Sequence, residues 1–98
     1  MPLKAIQINE KDNVAVVTQE TAAGARIEVQ LAGQQTTVVA KTDIPLFHKV
    51  ALSDIVGGTP IVKYGEHIGR AGCDIKEGEH VHVHNVSNHR EDLSGVSQ

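Results

Sequence analysis

Residues 26–31 read Arg26-Ile27-Glu28-Val29-Gln30-Leu31 and alternate polar and apolar side chains without interruption. Successive side chains of a β-strand point to opposite faces of a sheet, so this stretch predicts a strand with one solvated and one buried face. Gly33 ends the alternation, and the residues after it predict the returning strand Thr36-Thr37-Val38-Val39-Ala40. The middle of the chain therefore predicts a β-hairpin.

The regions around this hairpin also favour strands. Strand-like runs occur at residues 4–8 and 14–18, and Val and Ile dominate the apolar set, with Phe47 and Tyr64 as the only aromatic residues. Branched aliphatic side chains fit the pleated surface of a sheet. No stretch has a 3.6-residue periodicity over three turns. The 98 residues, which no linker divides, predict a single all-β domain over residues 1–98.

A short internal repeat marks the second half of the chain. The pattern Asp54-Ile55-x-x-Gly58-x-x-Ile61 recurs twenty residues later as Asp74-Ile75-x-x-Gly78-x-x-Val81. In both copies the Gly is expected at a turn position with positive φ, followed by a strand. The polar segment 88–98 is predicted to be a flexible tail.

Charge and cysteine content exclude several classes of function. The net charge is −3 and Lys and Arg are scattered singly, so we expect no nucleic-acid partner and no attraction to anionic lipid. No long apolar segment predicts a membrane span. Cys73 is the only cysteine, which excludes an internal disulfide and favours the reducing cytoplasm. Without a CxxC partner it is expected to be a buried or half-buried bystander.

The residues that stand out chemically are the histidines of Glu79-His80-Val81-His82-Val83-His84-Asn85. On a strand, His80, His82 and His84 would share one face while the two Val side chains face the other way. Three imidazoles on one face can present nitrogen ligands to a divalent metal ion. An edge strand with His on its solvated face is the alternative interpretation.

A second pair of candidates is His48 and Lys49, which follow the turn at Pro45. A Lys beside a His at the junction of a loop and a strand could bind a carboxylate and carry a proton. The alternative is a surface Lys next to an interface His.

Three blocks in the same order resemble the amino-terminal domain of the altronate and galactarate dehydratase family. They are Asp12-Asn13-Val14-Ala15-Val16, His48-Lys49-Val50-Ala51-Leu52-x-Asp54-Ile55, and the region from Pro60-Ile61-Val62-Lys63-Tyr64-Gly65 through His80-Val81-His82-Val83-His84-Asn85-Val86. One position departs from the pattern, because Phe47 stands where the family usually has Gly before His-Lys. The resemblance implies a compact β-clip of the SAF type, built of short strands and tight turns.

The resemblance also implies a chemistry and a division of labour. It implies a cytoplasmic lyase, a dehydratase, in which this chain is a small subunit and a separate large catalytic subunit completes the enzyme. The reaction would be a metal-assisted β-elimination from a small hydroxy acid, most simply dehydration of a sugar acid of the altronate type to a 2-keto-3-deoxy acid. A divalent metal ion, iron or manganese, would stabilise the enolate.

Particular residues receive roles from the same resemblance. His82 and His84 would bind the metal ion, His80 and Asn85 would bind substrate, and the catalytic pair His48 and Lys49 would approach its carboxylate. The alpha subunit of sulfolactate sulfo-lyase, which would release sulfite and pyruvate, is the alternative within the family. A non-catalytic module that binds a sugar acid or docks to a partner, and a His-rich metal-handling protein, are alternatives of other classes.

Overall fold

The computed structural model describes residues 3–31 and 33–87, so the predicted tail at 88–98 lies outside the described residues. The described ranges contain no helix and nine strands: β1 (Leu3–Ile6), β2 (Val14–Val17), β3 (Arg26–Leu31), β4 (Gln34–Val39), β5 (Lys49–Ala51), β6 (Pro60–Lys63), β7 (Glu66–Ala71), β8 (His80–Val81) and β9 (Val86–Ser87). The predicted all-β fold class is confirmed. Within these ranges nothing has the helical length and apolarity needed to cross a bilayer.

The strands form two sheets. The larger has six strands in the order β4-β3-β1-β2-β5-β8, and the smaller has three in the order β6-β7-β9. The β1–β3 pair is parallel and the other pairs are antiparallel. The strand β8 therefore lies at one edge of the larger sheet, beside β5.

The alternation of polar and apolar residues that predicted β3 corresponds to an alternation of exposed and buried side chains in the structure. Ile27 and Val29 are buried, whereas Arg26 is exposed and Glu28 is half-buried. The returning strand β4 pairs with β3 from Arg26↔Val39 to Leu31↔Gln34, as predicted for a hairpin. The buried residues of β3 belong to one apolar cluster, and a second cluster contains Val14, Ala51 and Val81. The strand β5 contributes a residue to each cluster, Val50 to the first and Ala51 to the second, whereas β8 contributes Val81 to the second.

A turn unit of one shape occurs four times in the described residues, beginning at Glu20, Asp43, Asp54 and Asp74. In each unit the second residue forms an isolated bridge to another unit, pairing Thr21 with Ile44 and Ile55 with Ile75. The N–H of the sixth residue donates to the carbonyl of the third, as in His48 to Pro45, 3.0 Å. The seventh residue begins a strand in every unit. The repeat found in sequence is therefore half of a four-fold pattern.

Aspartate side chains join the units in pairs. Asp74 Oδ1 accepts from Gly57 N at 2.7 Å, and Asp54 Oδ1 accepts from Glu77 N at 2.9 Å, so these two turns cap each other. Asp43 Oδ1 accepts from Ala23 N at 2.9 Å in the other pair. A short anionic acceptor is well suited to satisfy a turn N–H that no strand partner can reach.

The fifth residue of each unit has a positive φ, and in one unit it is not glycine. Gly24, Gly58 and Gly78 have φ values of 91°, 90° and 91°, whereas Phe47 has a φ of 66°. Glycine adopts this conformation without the steric penalty that a Cβ brings. The departure at Phe47 therefore keeps the turn shape and carries local backbone strain.

Candidate functional site

The candidate site lies at the start of β5 and β8, where these strands follow the turn units that begin at Asp43 and Asp74. These strands pair antiparallel, with Lys49 opposite Val81 and Val50 opposite His80. Extending that register by one residue brings His48 opposite His82. Residues directly opposite each other share a face of the ladder, so His48, His80 and His82 meet on one side.

The predicted strand over residues 80–84 is wrong, because β8 ends at Val81. Asn85 causes this ending. Its Nδ2 donates to the His80 carbonyl at 2.8 Å, and its Oδ1 accepts from the His82 N–H at 3.0 Å. The Asn85 N–H in turn donates to the His82 carbonyl at 3.1 Å, which closes a tight turn over residues 82–85. This side chain takes the place of a strand partner for the backbone.

Three imidazoles nevertheless come together, and we refer to His48, His80 and His82 as the imidazole cluster. His48 Nδ1 lies 2.8 Å from His80 Nε2, a hydrogen-bond distance. The rings of His48 and His82 stack with centroids 3.9 Å apart. Each residue offers one ring nitrogen such that the three lie within 4.8 Å of one another. The cluster thus gathers potential ligands from two separate chain segments.

One nitrogen of the cluster has no partner. His82 Nδ1 is buried and makes no hydrogen bond to any described residue. A buried polar atom without a partner costs about 1–3 kcal/mol. Such an atom, on a ring that stacks against His48, fits a site that binds a cation or a hydrogen-bonding ligand.

The electrostatic environment keeps the rings of His80 and His82 neutral. Burial, with added repulsion from neighbouring His and Lys groups, lowers the pKa of His80 to about 4. Burial is also the main reason that the pKa of His82 is lowered. Neutral imidazole is the form that binds a metal ion, so both rings are ready to act as ligands near neutral pH.

Lys49 lies next to the imidazole cluster but projects from the opposite face of the ladder, since it pairs with Val81 and not with His80. It is half-buried, and burial together with repulsion from Lys63 lowers its pKa. No carboxylate within the described ranges forms an ion pair with it. A half-buried ammonium group without an anionic partner is suited to bind a carboxylate from outside the chain.

The remaining predicted site residues lie around these groups. The ring of His84 is exposed and tilted against His80, with centroids 4.9 Å apart, and His84 is not among the three residues whose nitrogens converge. Asn85 is buried, and both polar atoms of its side chain already make hydrogen bonds to the backbone of its turn. A metal-binding role for His84 and a substrate role for Asn85 stay predictions. His48, predicted as a partner of Lys49, instead lies among the imidazoles.

An open cavity of about 390 Å³ adjoins the cluster through His80. It is lined by Thr42, Asp43, Cys73, Asp74, Glu79, His80, His84 and Asn85. Its wall is therefore rich in oxygen acceptors. The prediction that Cys73 is buried or half-buried is wrong, because the thiol is exposed in a turn. Sequence reasoning missed this wall, since its residues come from two turn units far apart in the chain.

The altronate/galactarate dehydratase SAF domain model matches residues 3–89, which is most of the chain. The chain belongs to this family. The SAF domain carries the imidazole cluster on the residue that precedes β5, on β8 and on the turn that follows β8. The family resemblance predicted from the His48-Lys49 and His80–Val86 blocks is therefore confirmed.

Relatives of this SAF domain fall into two groups. Altronate dehydratase of Escherichia coli (strain K12) is 40% identical over 91 residues, covering 93% of this chain and 18% of the relative. Altronate dehydratase of Bacillus subtilis (strain 168) is 38% identical over 88 residues, covering 90% of this chain and 17% of the relative. The chain thus spans less than a fifth of the length of these altronate dehydratases.

The second group consists of short relatives. (2R)-sulfolactate sulfo-lyase subunit alpha of Chromohalobacter salexigens is 38% identical over 77 residues, covering 76% of this chain and 82% of the relative. Its name describes one subunit of a lyase with several subunits. The same SAF domain thus matches part of a long dehydratase and most of a short lyase subunit.

Proposed function

We propose that this SAF domain acts as the small subunit of a two-subunit lyase that eliminates a β-substituent from a hydroxy acid. The observation that carries the proposal is the convergence of His48, His80 and His82. The family supports it, since the relatives named above are a dehydratase and a lyase subunit. A large catalytic subunit is the expected partner.

The residues present suit an elimination adjacent to a carboxylate. Although Lys49 leaves the ladder on the other face, its charge lies near enough to act on His80 and His82. Its long, flexible side chain would reach the substrate carboxylate and offset the negative charge that develops when the α-proton is removed. The hydrogen-bonded pair of His48 and His80 can hold or pass a proton. A divalent metal ion, when bound, would supply Lewis-acid stabilisation of the enolate. The neutral imidazoles and the unpartnered nitrogen of His82 fit such an ion.

Exposed apolar residues beside the cluster support a partner surface. Phe47 is 69% exposed next to His48, and Val83 is 80% exposed between His82 and His84. Large apolar side chains this exposed are common at protein–protein contacts when they adjoin one another. A large subunit that covers Phe47 and Val83 would also exclude water from the imidazole cluster, which strengthens electrostatic stabilisation there.

The proposed reaction is dehydration of a sugar acid of the altronate type. The α-proton leaves the carbon next to the carboxylate, hydroxide leaves the β-carbon as water, and the enol tautomerises to a 2-keto-3-deoxy acid. The acceptor-rich cavity beside His80 suits a chain of hydroxyl groups, because its Asp, Glu and Thr oxygens can accept their hydrogen bonds. The cytoplasm stays the predicted compartment.

Sulfolactate elimination is the second candidate. The observation that favours it is the match to 82% of the length of a sulfo-lyase alpha subunit. In that reaction sulfite leaves the β-carbon and the product is pyruvate. The same proton removal and the same carboxylate contact would serve both substrates.

The test is reconstitution with a large subunit of a lyase from the same family. The complex is assayed with altronate, galactarate and (2R)-sulfolactate in the presence of Fe²⁺ or Mn²⁺. We expect turnover of a sugar acid by the complex and none by either subunit alone. Turnover of sulfolactate alone would support the second candidate. Binding of a sugar acid by this chain alone, with no turnover in any complex, would mean that it is a non-catalytic binding module.

A further inference from the structure

The imidazole cluster has a composition that distinguishes between metal ions. Its three potential ligands are ring nitrogens, and within the described residues no carboxylate joins the group. Imidazole nitrogen suits Fe²⁺, Co²⁺, Ni²⁺, Cu²⁺ and Zn²⁺, whereas Mg²⁺ and Ca²⁺ prefer oxygen ligands. The ligand chemistry therefore favours a transition metal over the alkaline-earth ions.

The geometry is close to that of a bound site. Ring nitrogens that share one metal ion at about 2.0–2.1 Å lie about 3–3.5 Å apart. His48 Nδ1 and His80 Nε2 are 2.8 Å apart, and the three offered nitrogens all lie within 4.8 Å. Side-chain rotations that move the nitrogens by about 1 Å would bring all three within binding distance of one metal ion. The backbone turns that hold His48, His80 and His82 need not change.

The unpartnered nitrogen of His82 is an independent observation. His82 Nδ1 is buried, yet it has no hydrogen-bond partner in the described part of the chain. The backbone of the same residue is fixed by Asn85 on both its N–H and its carbonyl. The turn therefore holds the His82 ring against His48, although His82 Nδ1 receives no hydrogen bond from the described residues.

We propose that His48, His80 and His82 form a three-imidazole site that binds one divalent transition-metal ion in this chain alone, before a partner subunit joins. The inference deepens the proposed function and rests on it for the role of the metal, although binding is measured separately. It differs from the sequence prediction because His48 and His80 replace His84 as ligands. Three ligands from one chain leave further positions open for substrate or water.

Metal preference follows from the ligand set. Affinity of nitrogen ligands for divalent ions rises from Mn²⁺ through Fe²⁺ and Co²⁺ to Cu²⁺, with Zn²⁺ below Cu²⁺. We therefore expect Co²⁺ and Zn²⁺ to bind the chain much more tightly than Mn²⁺, and Mg²⁺ to compete poorly.

The test is titration of the chelator-treated 98-residue chain with Co²⁺, followed by displacement with Zn²⁺. Visible absorption reports the ligand geometry of Co²⁺, and calorimetry gives the stoichiometry. We expect one ion per chain, and we expect His48→Ala, His80→Ala and His82→Ala each to weaken binding more than about a hundredfold. His84→Ala and the matched control His67→Ala, in β7, should change it less than about threefold.

Two measurements keep the proposal open to refutation if a variant fails to fold. Circular dichroism checks each variant, and ¹⁵N spectra of the unsubstituted chain show which of the six His rings respond to Zn²⁺. Shifts confined to three rings support the site. No saturable binding, or binding that His48→Ala leaves intact, would overturn it. Metal binding by a chain that gives no turnover with any large subunit would instead refute the proposed function.

Discussion

His48 Nδ1 lies 2.8 Å from His80 Nε2, across the ladder that joins β5 to β8. The two residues are 32 positions apart in the chain, and the pairing of Val50 with His80 is what brings them together. Since the His82 ring stacks on His48, a single strand pairing assembles the whole imidazole cluster. Formation of the site therefore depends on the β5–β8 ladder.

The lowered pKa of His80 predicts a pH dependence of stability in the metal-free chain. A base with a pKa of 6.5 when unfolded and about 4 when folded binds its proton more tightly in the unfolded state. The stabilisation is complete above pH 6.5 and is lost as the pH falls toward about 4. Urea unfolding across this range should show the loss, and His80→Asn should reduce it. An equal pH dependence in His80→Asn would contradict the assignment.

The positive φ at Phe47 predicts an unusual response to glycine. Phe47→Gly should be more stable than Phe47→Ala by about 1 kcal/mol, because only glycine removes the strain of a left-handed residue. Leu46 is the matched control, since its φ is not positive and it is also exposed. There the glycine variant should be the less stable one. Chemical denaturation of the four variants measures both differences, and the same order at both positions would contradict the account.

The glycines of the turn units differ in what surrounds them. Gly58 and Gly78 have φ values of 90° and 91°, but a Cβ on Gly58 meets nothing within 4 Å, whereas one on Gly78 overlaps the carbonyl oxygen of Val39. Gly58→Ala should therefore cost only the backbone strain, about 1–2 kcal/mol. Gly78→Ala should cost clearly more or prevent folding. Equal free energies of unfolding for the two variants would show that the Val39 contact is not a tight one.

Asp12 is expected to make a large polar contribution to stability outside the site, because its carboxylate accepts from three backbone N–H groups. Its Oδ1 accepts from Gly65 N at 2.7 Å, and its Oδ2 accepts from Asn9 N at 3.1 Å and Ile8 N at 3.2 Å. Burial opposes ionisation, but these bonds lower its pKa below 3.8 overall. Its stabilisation is therefore present above pH 3.8 and lost as the pH falls through the folded pKa.

Replacing Asp12 removes an ionised acceptor from three backbone N–H groups. Asp12→Ala should lower the free energy of unfolding by about 2–3 kcal/mol. The exposed neighbour Glu10 is the control, and Glu10→Ala should change it by less than about 0.5 kcal/mol. Equal losses in the two variants at neutral pH would contradict the role of Asp12.

If a large subunit covers the exposed side chains of Phe47 and Val83, a charged substitution there should weaken assembly without unfolding the chain. Val83→Asp should weaken association with the large subunit more than about tenfold, because it places a charge on the exposed apolar side chain between His82 and His84. Ile8→Asp is the matched control, since Ile8 is 56% exposed and belongs to the turn between β1 and β2. Analytical ultracentrifugation measures both complexes. Equal affinities would place the partner on another face.

Local sequence patterns predicted much of the fold. The alternation of residues 26–31 matches the bounds of β3, and the Asp54 and Asp74 repeat matches two of the turn units. The sequence pattern of the repeat is absent from the first half because Glu20 and Phe47 occupy the positions that hold Asp and Gly in the other units. Hydrogen bonding, rather than residue identity, reveals that all four turns are alike.

The site was less predictable, for a physical reason. The histidine pattern favoured a strand with three imidazoles on one face, but the Asn85 side chain bonds the His80 carbonyl and the His82 N–H and so ends β8. The contribution of His48 depends on the long-range β5–β8 register. No local pattern contains that information. Histidines were thus correctly singled out, whereas their grouping required the structure.

The most direct test of the central claim is the turnover number of the reconstituted lyase with His82→Ala in place of the unsubstituted small subunit. The account predicts a loss of about a hundredfold or more with assembly and folding retained, because the imidazole cluster loses a member. His67→Ala should leave turnover unchanged. Full turnover by an assembled His82→Ala complex would contradict the claim that the imidazole cluster serves the reaction.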